Sequence, residues 1–71
     1  GEAFKRNTGM TFVEYITQRR IDYVVKALKG NHEANIQELF NYVGYRQRST
    51  AWRNFQKITG LTPTEFVEGL K

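Results

Sequence analysis

Apolar residues recur at helical spacing along most of this chain, and no segment shows the alternation of a half-buried strand. From Phe12 neither Gly nor Pro interrupts until Gly30, and Ile21, Val24, Val25 and Leu28 form one apolar stripe. Tyr15, Ile16, Arg19, Tyr23 and Lys26 fall on neighbouring rows. The spacing predicts a helix of about 18 residues, ~27 Å long at 1.5 Å per residue. Gly30 to Ala34 reads as a polar loop, and Asn35 followed by Glu38 marks the next helix start. Ile36, Leu39, Phe40 and Val43 give that helix its buried face, and Gly44 breaks it. A third helix is expected from about Arg48 to Ile58, with Ala51, Phe55 and Ile58 inward. A short closing helix follows from Pro63 to about Glu68. The predicted class is all-α.

The segment from Phe4 to Tyr15 reappears from Phe55 to Phe66, in register at an offset of 51 residues. Phe, Thr-Gly, an apolar residue, Thr, Glu and an aromatic recur in order. Each copy reads as a helix end, a turn and a new start. Gly9 and Gly60 stand where a left-handed residue closes a helix. Thr11 with Glu14, and Thr62 with Glu65, have capping-box spacing, and Pro63 falls at the favoured first helical position. The chain is expected to hold one whole unit and only the end of an earlier one.

Composition narrows what such a helical unit can do. The 71 residues suit one small domain. With no cysteine and one histidine, they offer no disulfide, no Cys-ligated zinc and almost no acid–base machinery. His32 has no ligand partners at metal spacing, so it is expected to be solvated. No catalytic residue, metal site or cofactor is expected, and the chain is not read as an enzyme. No apolar run approaches the ~20 residues needed to span a bilayer, and no signal peptide is evident. The net charge is +4. That excess favours a polyanionic partner only where it is concentrated.

It is concentrated between Ile36 and Ile58. A short helix, a glycine-containing break and a longer helix form the outline of a helix-turn-helix, although an ordinary helical hairpin shares it. No acid lies between Glu38 and Glu65, whereas Arg46, Arg48, Arg53 and Lys57 lie on or beside the second helix. On a wheel of about 100° per residue with Ser49 at zero, Arg53 falls near ~40°, Gln56 near ~340°, Thr50 near ~100° and Trp52 near ~300°. Ala51, Phe55 and Ile58 take the opposite side. Ser, Thr, Arg and Gln on the outer face can bond base edges and phosphates, which favours nucleic acid.

The chain resembles the C-terminal DNA-binding region of the AraC/XylS family of bacterial transcription regulators. The match is carried by Phe4, Thr8-Gly9-Met10, Arg20-Ile21, Leu28, Ile36, Glu38-Leu39, Val43-Gly44-Tyr45, Arg53, Phe55, Thr59 to Pro63, and Glu65-Phe66. The resemblance implies a homeodomain-like, three-helical helix-turn-helix unit preceded by a long linker helix. On that basis residues 1–8 hold the tail of a first recognition helix, represented by Glu2 to Asn7. Residues 11–30 are the linker helix and 35–71 the second unit with its closing helix, all in one compact domain. The recognition helix, about 48–58, is expected in the major groove of double-stranded DNA. Ser49, Thr50 and Arg53 correspond to base-contacting positions. Arg46, Arg48, Gln56 and Lys57 suit the DNA backbone, and Asn35 and Ile36 can offer amide N–H groups to a phosphate. The setting implied is the bacterial cytoplasm, at the nucleoid, and the chain is expected to be monomeric. The alternative reading is a helical protein–protein module contacting RNA polymerase or a partner domain of the same regulator.

Two positions depart from the family pattern. Phe40 stands where a small residue is usual, and Ala51 where a large apolar one is usual, so a volume-conserving swap is expected. Trp52 replaces a small or polar residue and is expected to lie across the rim of the core. Tyr15, Tyr23, Tyr42 and Tyr45 are expected in the core or at its rim. Arg19 and Arg20 are expected to pair with Asp22 or a glutamate.

Overall fold

A computed structural model of the chain describes residues 11–71. Four helices follow one another: α1 (Phe12–Gly30), α2 (Ile36–Tyr42), α3 (Arg48–Thr59) and α4 (Pro63–Leu70). No strand occurs among the described residues. The sequence features assigned to Phe4, Gly9, Met10 and the Glu2-to-Asn7 stub lie outside them.

The helix starts follow from short side-chain acceptors. The Glu14 N–H donates to Thr11 Oγ1 (3.0 Å) at α1, and the Glu38 N–H donates to Asn35 Oδ1 (3.0 Å) at α2. At α4 the box is reciprocal, since the Glu65 N–H donates to Thr62 Oγ1 and Glu65 Oε1 accepts from the Thr62 N–H. Each such bond satisfies an amide that the helix leaves without a partner. Gly60 ends α3 at φ +81°, donating its N–H to the Gln56 carbonyl (2.8 Å).

The core gathers Ile21, Val24 and Leu28 of α1 with Phe40 of α2, Tyr45 of the turn, and Ala51 and Phe55 of α3. Leu39, Ile58, Phe66 and Val67 pack around it, partly buried. Three edge-to-face contacts run through its aromatic centre. Phe40 meets Tyr45 at 5.9 Å and Phe55 at 6.2 Å, and Phe55 meets Phe66 of α4 at 5.6 Å between centroids. Such pairs contribute ~0.5–1.5 kcal/mol each beyond their burial. Phe40 and Ala51 are both fully buried in this cluster, as a large-for-small exchange between α2 and α3 requires.

Two sets of side chains differ from expectation. Tyr45 is buried, but Tyr23 and Tyr42 remain 45% and 73% exposed. They stack on each other at 5.1 Å, a surface pair joining α1 to the end of α2. Arg19 and Arg20 make no ion pair among the described residues. Their guanidinium carbons lie over the rings of Tyr15 (6.0 Å) and Tyr45 (5.2 Å), and Asp22 accepts instead from Gln18 Nε2 (2.9 Å). For Arg20 the reason is angular. Residues 20 and 22 stand about 200° apart on a helix, so Asp22 cannot reach a guanidinium that leans toward the α2–α3 turn.

Candidate nucleic-acid interface

The turn between α2 and α3 sets how α3 is presented. The Val43 and Gly44 N–H groups donate to the Leu39 and Asn41 carbonyls, and the Tyr45 N–H reaches back to the Phe40 carbonyl (2.9 Å). Gly44 has φ +105°, a backbone state that L side chains rarely adopt. A Cβ there would also stand 3.3 Å from Arg20 Nη2. Tyr45 then anchors the turn on both sides. Its ring lies under the Arg20 guanidinium, and its hydroxyl accepts from Asn54 Nδ2 of α3 (3.1 Å). α1, the turn and α3 are thereby joined by side chains as well as by the apolar core.

The outer side of α3 is polar and basic. Ser49, Thr50, Arg53, Gln56 and Lys57 are exposed, as are Arg46 and Arg48 at its approach and start. Ala51 and Phe55 are buried on the opposite side, so the face assigned from the wheel is the face presented to solvent. Arg48, Ser49, Trp52, Arg53 and Gln56 line one open concavity on it. Four of the eleven Lys and Arg lie between Glu38 and Glu65, a stretch with no acid. The remainder of the sequence therefore balances seven basic against seven acidic residues, and this stretch carries the whole net charge.

The start of α3 is also unlike the others. Gln47 occupies its cap position without a side-chain bond to the helix amides, its Oε1 accepting instead from the Thr50 hydroxyl (3.4 Å), and the first turn holds no acid. The other three helices each have a side-chain cap and a glutamate in the first turn. Unfilled N–H groups beside Arg46 and Arg48 form a positive end, the electrostatics suited to phosphate.

A family model described as a helix-turn-helix domain matches residues 1–69. The chain belongs to the AraC/XylS family of DNA-binding transcription regulators. A curated relative, the uncharacterized transcriptional regulatory protein YesN of Bacillus subtilis (strain 168), is 33% identical over 67 residues. The match covers 93% of this chain and 18% of that protein, so the chain spans less than a fifth of the relative's length. No solved structure gives a significant match.

As a member of the AraC/XylS family, the chain brings its expected α3 side chains onto one surface. Asn35 stands apart at the start of α2, where its side chain is engaged by the Glu38 N–H, and Ile36 is half-buried against the core. Trp52 is half-buried against the core edge, in the rim position its sequence context suggests. Sequence reasoning missed the support beneath the face, namely Arg20, the Tyr45 hydroxyl and Asn54. The polar Asn54 on the inner flank of an apolar helix side was the available signal, because a half-buried amide needs a partner. His32 is exposed in its loop. Among the described residues no cluster of His, Cys, Asp or Glu could hold a metal ion, and no helix is long and apolar enough to cross a membrane.

Proposed function

We propose that this chain binds double-stranded DNA sequence-specifically as part of a bacterial AraC-type regulator, with α3 in the major groove. The carrying observation is the acid-free outer face of α3, where Ser49, Thr50, Arg53 and Gln56 stand together above a buried apolar side. In helix-turn-helix proteins the N-terminal part of the second helix meets the base edges. Ser49, Thr50 and Arg53 lie in that part and are assigned to bases. Arg53 contributes most, because a guanidinium can bond guanine O6 and N7 together, for ~1–3 kcal/mol of discrimination.

Arg46, Arg48, Gln56 and Lys57 are assigned to the DNA backbone. At the start of α2, Asn35 and Ile36 are assigned to a phosphate through main-chain N–H groups, since the cap occupies the Asn35 side chain. The helix α1 serves as the linker of the two-unit family architecture, residues 35–71 form the second unit, and residues 1–8 belong to the tail of the first. The site of action is the nucleoid, and the chain acts there as a monomer.

One observation favours a second reading. The Tyr23–Tyr42 stack is exposed and apolar, a surface suited to RNA polymerase or another domain of the regulator. Titrating labelled duplex against the chain across a salt series separates the two. Phosphate binding weakens linearly in log–log form, at a slope of about −0.9 per phosphate neutralised. A steep slope together with tighter binding to a selected site supports the DNA reading. Salt-independent or absent binding overturns it.

A further inference from the structure

Arg48 and Trp52 lie four residues apart on α3, and the Arg48 guanidinium carbon stands 4.8 Å from the centroid of the Trp52 ring. The indole is half-buried against the core, which restrains one side of the ring. Both side chains border the concavity shared with Ser49, Arg53 and Gln56. A guanidinium held flat on a ring keeps its in-plane N–H donors free, and those donors form the fork that matches phosphate oxygens. A carboxylate would also restrain an arginine, but it would cancel the charge. An aromatic face restrains the cation and leaves its charge intact. The acid-free stretch around α3 leaves Trp52 as the group that orients Arg48.

We infer that Trp52 is a positioning residue, holding the Arg48 guanidinium in place at the start of α3 to grip a DNA phosphate. This rests on the assignment of α3 as the recognition helix. The contact to DNA is made by Arg48, and Trp52 acts through it. Pre-orientation lowers the cost of ordering a long side chain on binding, so it should appear in affinity for every duplex.

The test is a double-mutant cycle on duplex affinity, with Arg48→Ala, Trp52→Leu and the pair together, each measured across a salt series. Arg48→Ala should weaken binding to selected and random duplexes about equally and flatten the salt slope by ~0.9. Trp52→Leu should weaken every duplex several-fold with the slope nearly unchanged, and Trp52→Phe should restore part of that loss. In the Arg48→Ala background, Trp52→Leu should change affinity less than about twofold, because coupled side chains lose their interaction once. An equal loss with and without Arg48 would overturn the inference and leave the ring as core packing. A loss confined to particular sequences, abolished when thymine is replaced by uracil, would overturn it in favour of a base contact. Should Trp52→Leu fail to fold, the unaltered chain still decides. The Arg48 Nε–H resonance should show an upfield ring-current shift that persists in the duplex complex, and its absence overturns the stack. No salt-dependent binding by the unaltered chain would defeat the DNA reading itself, which the cycle thereby keeps distinct.

Discussion

At the start of α4, Thr62 and Glu65 exchange two hydrogen bonds, and Pro63 occupies the first helical position. At the start of α3, Gln47 caps nothing with its side chain, and Arg48 stands where an acid would suit the helix dipole. An unfilled cap forgoes ~0.5–2 kcal/mol, and a cation at the positive end costs ~0.3–1 kcal/mol more. A domain this size has only a few kcal/mol in hand. Helix stability alone does not account for the residues at the α3 start. The α4 start is optimised for the helix itself, whereas the α3 start retains positive potential that a bound anion would satisfy. Local departure from the best folding choice, on the face proposed to meet DNA, is the expected sign of such a site.

The comparison holds only if the inner side of α3 is built as ordinarily as the other helices, and that is where the largest effect lies. Phe40→Ala should cost roughly 3 kcal/mol or more in denaturant unfolding, as a cavity opens at the aromatic centre. Ala51→Phe alone should overpack, and the pair should recover part of the loss through a coupling of ~1–3 kcal/mol. Additive effects would show that the two side chains do not share a site.

The outer side gives the next effect. Arg53→Ala should lower the preference for a selected site over random duplex by ~1–3 kcal/mol, with little change in stability. Equal losses on both duplexes would reduce Arg53 to a phosphate contact. At α4, Thr62→Ala should cost ~1 kcal/mol in unfolding and leave duplex affinity unchanged after correction for the folded fraction. Lys57→Ala should produce the smallest change, a uniform weakening with a salt slope flatter by ~0.9.

Helices were legible in this sequence because their ends are written in residue chemistry. Thr11 with Glu14, Asn35 with Glu38, and Thr62 with Glu65 marked three starts, and each now shows the side-chain bond that this spacing allows. Gly44 and Gly60 marked two breaks, and both have positive φ. The outer face of α3 was legible from periodicity, since Ala51 and Phe55 fix which way the helix turns. The partners of Arg19 and Arg20 were not legible. Charge counting suggested carboxylates, but each guanidinium found an aromatic face whose position depends on tertiary packing. The Tyr23–Tyr42 stack escaped for the same reason, as it joins two helices whose relative placement no spacing rule supplies.

Gln47→Asp tests the contrast between the two helix starts most directly. Gln47 already has the extended backbone of a cap residue, at φ −114° and ψ 129°, so an aspartate can accept from the first-turn amides without rearrangement. The substitution should raise unfolding stability by ~0.5–2 kcal/mol. It should also weaken duplex binding at least ~tenfold, because the new carboxylate occupies the amides and repels phosphate. Opposite signs in the two readings are the predicted result. Greater stability with duplex affinity unchanged would contradict it, and would show that the start of α3 has no part in holding DNA.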